Sequence, residues 1–178
     1  LGLGIVGVLM CAINPIMGWI NTGMTNALKA MAESGLIIPL CVLLAGMMAI
    51  DMGGPFNKAA YVFGTAALAA QNEIGYMIMA AVMVGGMVPP IAIALATLIF
   101  PKKFTVAERK AGPVNFIMGF CFITEGAIPY AAADPIRVIP SLMVGSGVAG
   151  ALSMAFKCTL MAPHGGIFVI ATIKQPLL

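Results

Sequence analysis

Long stretches without a charged side chain constrain this chain more than any other feature of its sequence. Five such stretches cover residues 1–28, 34–50, 74–101, 138–156 and 158–173. A helix that crosses the hydrocarbon core of a bilayer needs about 20 consecutive, mostly apolar residues. The pattern therefore predicts an all-α, polytopic transmembrane protein with material for about five crossings.

Composition supports this prediction and excludes other classes of protein. Charged residues make up 8% of the chain and apolar residues 61%, and the mean hydropathy is +1.07. A soluble domain carries about 25% charged residues, and a disordered chain needs high charge. The net charge of +3 is too small to indicate a nucleic-acid surface. Because the apolar pattern repeats along residues 1–178, a signal peptide cannot explain it, and we expect a piece of a longer membrane domain.

Basic residues are concentrated in one short segment that contains Lys102, Lys103, Arg109 and Lys110. Loops rich in Lys and Arg remain on the cytoplasmic side of a membrane. We therefore predict a cytoplasmic loop at residues 102–112.

The segment after this loop, residues 113–133, has the features of a re-entrant hairpin. A helix that starts at Pro113 would climb about 17 Å in eleven residues, roughly half of the hydrocarbon core. It then meets the sequence Thr124-Glu125-Gly126, and Pro129 follows. Broken backbone at that depth is tolerated only inside protein or beside a wet cavity, so the hairpin is expected to face a binding site.

The other apolar stretches are assigned by the same length argument. We expect a long span at 74–101 that its Gly85-Gly86 and Pro89-Pro90 pairs must bend or break. The further expectations are a span at 1–20, an interfacial helix at 20–34, spans at 35–50 and 138–162, and the start of one more span at 167–173.

Glu125 is the leading candidate for a functional residue. An acidic side chain in the middle of a membrane costs about 2.5–3.5 kcal/mol, so it is rarely left there without a partner or a cavity. An ionised carboxylate accepts hydrogen bonds from two hydroxyl groups, which a sugar can supply. The alternative is that Glu125 caps the free amides of the broken hairpin itself.

Other polar residues in apolar surroundings allow two interpretations each. Asp51 and Asn57 belong either to a binding site or to a polar loop outside the membrane. His164 is either a structural donor or part of the same cavity. Asp134 precedes Pro135 as a helix N-cap would, and Arg137 is three residues further on, so these two are predicted to form a structural ion pair.

The sequence predicts neither a metal site nor a cofactor. The cysteines, at positions 11, 41, 121 and 158, stand singly in apolar runs. No pair of them has the spacing of a metal site, and there is one histidine. Phosphate-binding loops, zinc-protease motifs and serine-hydrolase motifs are also absent from the sequence.

Three motifs carry a resemblance to a known family. They are DMGGPFNKAAY at 51–61, FITEGAIPYAAADPIRVIP at 122–140 and LMAPHGGIF at 160–168. With these motifs in this order, the chain closely resembles the fructose family of enzyme IIC, the membrane component of the bacterial phosphoenolpyruvate-dependent phosphotransferase system. The similarity extends over essentially the whole chain.

The resemblance implies a function and a set of partners. Such proteins carry fructose or a related sugar across the bacterial cytoplasmic membrane and release it phosphorylated. The phosphoryl group comes from a cysteine of a IIB domain, which a IIA domain, a histidine phosphocarrier protein and enzyme I supply in turn. The family also implies a homodimer with two re-entrant hairpins, and further helices before Leu1 and after Leu178.

The resemblance also assigns roles to residues of this chain. It makes Glu125 the ligand of the sugar hydroxyls and the group that orients the attacking hydroxyl, with Asp51, Asn57 and His164 as further site candidates. Because the chain lacks the Cys-Pro-Thr-Gly motif of a IIB domain, none of its cysteines is expected to be phosphorylated. Two alternatives remain open: an ion-coupled transporter that uses Glu125 and Asp51 as proton or sodium ligands, and a structural membrane subunit without a ligand.

Overall fold

The structure, a computed structural model, describes residues 2–174, which are predominantly helical. Eight α-helices occur within these residues, and short 3₁₀ turns connect several of them. The α-helices are α1 (Gly2–Glu33), α2 (Ile37–Ile50), α3 (Pro55–Ala69), α4 (Glu73–Ile99), α5 (Val106–Ala111), α6 (Val114–Phe120), α7 (Ile128–Ala133) and α8 (Pro135–Ala155). The 3₁₀ turns are Pro101–Lys103, Thr124–Ala127 and Gly166–Thr172, and the strands are β1 (Thr159–Leu160) and β2 (Ile173–Lys174).

Helix α4 forms the centre of the structure. It contacts α2, α3, α6 and α8, and it is buried along most of its length. The core around it consists largely of small and flexible apolar side chains, including Met48, Met79, Ala81 and Val82. Helix α8 packs on α2 and α4 with one face and exposes apolar side chains on the other.

Two helices of the described chain are long and apolar enough to cross a membrane. They are α4, with 27 residues, and α8, with 21 residues. Shorter apolar helical segments occupy Gly2–Ile16 and Ile37–Ile50. Helix α2 extends over about 21 Å, which is less than the roughly 30 Å of the hydrocarbon core. The fold is therefore that of a helical protein compatible with a membrane, and α2 and α4 lie where the sequence predicted helices.

The predicted division between a span at 1–20 and an interfacial helix at 20–34 is wrong. Helix α1 continues without interruption from Gly2 to Glu33, through Pro15. Proline removes one backbone donor, but in this apolar helix the loss does not end the helix. The polar Thr22 also stays within the helix, because its hydroxyl donates to the carbonyl oxygen of Gly18 at 2.8 Å.

Of the bend or break that the sequence predicts for α4, the break is absent, since the helix is continuous across its glycine and proline pairs. Pro89 and Pro90 have no N–H, so the carbonyl groups four residues earlier, those of Gly85 and Gly86, lose their helical donors. Side-chain hydroxyls replace them. Ser146 Oγ donates to the Gly85 oxygen at 2.8 Å, and Thr124 Oγ1 donates to the Gly86 oxygen at 2.9 Å.

The same two glycines allow close packing. A Cβ atom on Gly85 would lie 2.6 Å from Cα of Ala45 in α2, and one on Gly86 would overlap the ring of Phe122. Through residues 85–90, helix α4 therefore packs on α2, is hydrogen-bonded to α8, and contacts the turn that leads to Glu125.

The segment after α8 differs from the sequence-based expectation. The predicted span 138–162 ends as a helix at Ala155, and residues 166–172 form a 3₁₀ turn instead of the start of a new span. Gly165 and Gly166 have positive φ angles of 129° and 57°, which turn the chain. Strand β1 then pairs with β2 in antiparallel register, Thr159 opposite Lys174 and Leu160 opposite Ile173.

We predict that Ser146→Ala lowers the stability of the protein by about 1–2 kcal/mol, because the Gly85 carbonyl loses its donor inside the structure. Adding Pro89→Ala should recover part of this loss, since Ala restores a backbone N–H at the right position. The measurement is the thermal midpoint of the protein in detergent. As a control, Ser141→Ala removes an exposed hydroxyl of the same helix and should change stability by less than about 0.5 kcal/mol. If Ser146→Ala were as stable as Ser141→Ala, the Ser146 hydroxyl would not be a stabilising donor to the Gly85 carbonyl.

Candidate functional site

A cavity of about 320 Å³ lies between the start of α3, the turn after α6 and the loop that contains His164. Its walls combine polar side chains with apolar ones. The lining residues are Met48, Asn57, Lys58, Tyr61, Phe122, Ile123, Thr124, Glu125 and His164. Three segments that are far apart in the sequence thus meet at one site.

Glu125 belongs to the 3₁₀ turn Thr124–Ala127, and its side chain is solvent-accessible at the cavity. Within the described residues its carboxylate forms no hydrogen bond and no ion pair, so it does not cap the amides of its own turn. The carboxylate lies against the backbone of Gly53, where a Cβ atom would be 2.8 Å from Glu125 Oε1. Both acceptor oxygens therefore remain free for a ligand.

Asn57 is buried in the first turn of α3. Its Nδ2 donates to the carbonyl oxygen of Met48 at 2.9 Å, which holds the side chain against the end of α2. Within the described chain its amide oxygen forms no hydrogen bond. Asn57 can therefore offer one acceptor to a ligand without losing its structural contact.

His164 lies in an aromatic group with Phe122 and Tyr61. Its ring centroid is 5.2 Å from that of Phe122 and 6.3 Å from that of Tyr61, both in edge-to-face geometry. The loop that carries His164 is held against the other wall of the cavity, because Gly166 packs directly on the backbone carbonyl of Phe120. A side chain at position 166 would separate the two walls.

Asp51 has a different position from the other candidates. It does not line the cavity, but its carboxylate accepts hydrogen bonds from the backbone N–H groups of Phe56 at 2.7 Å and Asn57 at 2.9 Å. The residue at the N-cap of α3 is Gly54, which has no side chain to satisfy these donors. Asp51 therefore caps α3 from three residues upstream and orients Asn57 for the cavity.

Four non-glycine residues of the described chain have positive φ angles, and two of them lie within the site motifs. Met52 and Phe122 are buried, yet they have positive φ angles of 47° and 63°. Bulky residues rarely adopt this conformation, and it persists only where the surrounding structure imposes it. Met52 immediately precedes Gly53, which lies against the Glu125 carboxylate. Phe122 lies shortly before the turn that contains Glu125.

Asp134 and Arg137 lie outside the cavity. Asp134 Oδ2 and Arg137 Nη1 are 3.4 Å apart, and the Arg137 side chain is 87% exposed. Asp134 Oδ1 also accepts a hydrogen bond from the backbone N–H of Arg137 and so caps α8. An exposed pair of this kind contributes about 0–1 kcal/mol to stability, so its main effect is on the start of the helix.

The basic segment has a defined local structure. Thr105 and Glu108 form a capping box at the start of α5, and the two hydrogen bonds from Thr105 hold the pKa of Glu108 below its usual range. The carbonyl of Glu108 accepts a hydrogen bond from the Tyr130 hydroxyl at 2.8 Å. The segment is thereby tied to the helix that follows Glu125.

The comparisons with known proteins identify the family. The chain is 51% identical to the PTS system fructose-specific EIIABC component of Bacillus subtilis over 179 residues, 99% of this chain and 27% of that protein. It is 50% identical to the fructose permease IIC component of Bacillus amyloliquefaciens over 180 residues, 100% of this chain and 57% of that protein. The chain belongs to the fructose-specific enzyme IIC family. The resemblance that its three motifs indicated is therefore confirmed.

The family extends beyond bacilli. The fructose-specific EIIC component of Haloferax volcanii is 51% identical over 158 residues, 89% of this chain and 41% of that protein. This chain thus spans between about a quarter and three fifths of these enzyme IIC relatives. No protein-family model and no solved structure matches it. None of these names supports the alternative of an ion-coupled transporter.

Sequence reasoning missed three polar side chains of this enzyme IIC cavity: Lys58, Tyr61 and Thr124. A signal for two of them was present. Asn57 and Tyr61 are four residues apart and so share a face of α3, and Lys58 adjoins that face. The position of Thr124 depends on its bond to α4, which no local pattern reveals.

We predict that Asp51→Ala lowers stability by about 1 kcal/mol, because two backbone donors of α3 lose their acceptor. Asp51→Asn keeps one acceptor oxygen and should lose about half as much. Thermal unfolding in detergent measures both effects. If Asp51→Ala were as stable as the unchanged protein, the capping role would be wrong.

Proposed function

We propose that this chain forms the sugar site of a fructose-specific phosphotransferase permease. The observation that carries the proposal is the meeting of Glu125, Asn57 and His164 in one cavity, although they come from three separate motifs. The names of the relatives supply the substrate class. The volume of about 320 Å³ is at the small end of ligand pockets, which suits a monosaccharide.

The side chains suit a polyhydroxy ligand. The Glu125 carboxylate accepts hydrogen bonds from sugar hydroxyls, and the Asn57 amide oxygen offers a further acceptor. Phe122 and Tyr61 provide apolar surface for the C–H faces of a sugar ring. Such a site binds a neutral sugar through directed hydrogen bonds and excludes ligands without hydroxyl groups.

The chemistry that we propose is phosphoryl transfer to one sugar hydroxyl. The hydroxyl oxygen forms a bond to phosphorus, the bond from phosphorus to the cysteine sulfur of a IIB domain breaks, and the sulfur leaves with its electron pair as a thiolate. Glu125 orients the hydroxyl and accepts its proton. Since positioning supplies most of the rate enhancement in phosphoryl transfer, this membrane subunit of the phosphotransferase acts by holding the sugar in place.

The partners follow from the same proposal. Relatives are named EIIABC and EIIB'BC components, which supports IIA and IIB domains as partners of this chain. A histidine phosphocarrier protein and enzyme I would supply the phosphoryl group before them. As the family resemblance implies, the full-length protein is proposed to be a homodimer.

In the proposed membrane arrangement, residues 113–133 form the re-entrant hairpin and residues 102–112 form the cytoplasmic loop. Helices α6 and α7 are both short, and the turn between them carries Glu125, as a hairpin that reverses inside the membrane requires. The basic side chains of the loop favour the cytoplasmic side. The protein would then be a multi-pass component of the bacterial cytoplasmic membrane.

We predict that Glu125→Gln abolishes fructose phosphorylation while membrane insertion is retained. Gln has one acceptor fewer and cannot take the hydroxyl proton, so a loss of about 10²-fold or more is expected. The assay is phosphorylation of labelled fructose by vesicles that contain the protein and its phosphorylated partners. Glu33→Gln, an exposed carboxylate at the end of α1, is the matched control. Normal activity of Glu125→Gln would remove Glu125 from the site.

The source of energy provides a separate test. We predict that uptake into vesicles requires phosphoenolpyruvate and the soluble partners, and that it survives a protonophore. Uptake that collapses with the proton gradient and ignores phosphoenolpyruvate would contradict a phosphotransferase and favour ion coupling.

A further inference from the structure

Lys58 is the one lysine or arginine among the residues that line the cavity. It is exposed, and within the described residues it has no carboxylate within 4.0 Å, although Glu125 lines the same cavity. The ion pair that the described chain does contain joins Asp134 to Arg137, outside the cavity. The charge of Lys58 is therefore not neutralised by a partner at close range.

The position of Lys58 is unfavourable for the fold. Helix α3 begins at Pro55, so Lys58 is the fourth residue of the helix. The partial positive charge of a helix N-terminus disfavours a cation in this turn. Its backbone N–H is already used in a normal helical bond to Gly54. The side chain therefore contributes little to α3, and it is available to a ligand in the cavity that it lines.

We propose that Lys58 binds the phosphoryl group during transfer and in the product. This inference rests on the proposed function, in which a neutral sugar becomes a phosphate ester with about −1.5 to −2 charge. Before it takes the proton, the ionised Glu125 carboxylate repels the approaching phosphoryl group, and an ammonium group in the same cavity offsets this repulsion. Lysine is a common phosphate ligand that acts as a point charge, and its flexible stem can follow the phosphorus as it moves from sulfur to oxygen.

Lys58 and Glu125 thus have separate tasks in one step. Glu125 accepts the proton of the sugar hydroxyl as the new P–O bond forms and the S–P bond breaks. Lys58 keeps its proton and stabilises the charge on the three phosphoryl oxygens. Because the free sugar is neutral, Lys58 should matter for phosphoryl transfer and for binding of the sugar phosphate, but little for binding of fructose itself.

The experiment compares Lys58→Met, which keeps most of the length of the side chain without its charge, with Lys58→Arg, which restores a cation. Lys29→Met removes an exposed lysine of α1 and is the matched control. The variants are made in the full-length protein in membrane vesicles. Three quantities are measured: equilibrium binding of labelled fructose without phosphodonor, the rate of phosphorylation by phosphorylated IIB, and competition of a fructose phosphate for the site.

For Lys58→Met we expect fructose binding within about twofold of the unchanged protein and phosphorylation lower by about 10²-fold. Competition by fructose phosphate should weaken strongly in this variant. Lys58→Arg should recover most of both losses, and Lys29→Met should change neither. Retained fructose binding also demonstrates that the variant is folded.

Two outcomes would overturn the role of Lys58. One is normal phosphorylation by Lys58→Met. The other is an equal loss of fructose binding and phosphorylation, which would make Lys58 a sugar ligand or a structural residue. Failure of the proposed function itself is distinguishable, because the unchanged protein would then neither bind nor phosphorylate fructose.

Discussion

The structure depends on two carbonyl groups that proline deprives of their helical donors. Water cannot satisfy the oxygens of Gly85 and Gly86 in the interior, so side chains must do so. Ser146 satisfies one and thereby fixes α8 to α4, and Thr124 satisfies the other and fixes the turn that carries Glu125. The hydrogen-bond demand of one interrupted helix thus places the candidate site against the centre of the fold.

Close backbone approaches complete the positioning of the site. Gly53 admits the carboxylate of Glu125, Gly86 admits the ring of Phe122, and Gly166 admits the carbonyl of Phe120. The contacts of Gly53 and Gly166 join segments that surround the cavity, and the contact of Gly86 joins one of these segments to α4. A methyl group at position 86 or 166 would force the two partners apart, and one at position 53 would displace the Glu125 side chain. The loops of the site are therefore held in place by close contacts of glycine backbone with a side chain, a ring and a carbonyl group, although the loops are not part of a regular helix or sheet.

The sequence predicted helices from the absence of charge, and it singled out Glu125, Asn57 and His164, because polar residues in apolar surroundings are conspicuous. It could not predict the continuity of α1 or α4, since a proline removes one donor without always ending a helix. In α4 the groups that replace the lost donors come from distant segments, which no local pattern reveals. The turn after α8 was missed because an apolar run was assumed to be helical. Asp51 caps α3 because the N-cap residue, Gly54, has no side chain and the chain folds back to bring the Asp51 carboxylate to the free N–H groups of Phe56 and Asn57. This fold of the chain could not be predicted from the sequence.

The segment 51–61 shows how one short motif combines structural and chemical tasks. Asp51 fixes the start of α3, and that start directs Asn57 and Lys58 to the cavity opposite Glu125. Under the proposed function, the site then holds an acceptor for the neutral substrate and a cation for the charged product. The two charges oppose each other whenever Glu125 is ionised, because its carboxylate repels the phosphoryl group that the Lys58 ammonium attracts. Such a balance allows the transition state to be stabilised without retaining the product, which a permease must release at every turnover.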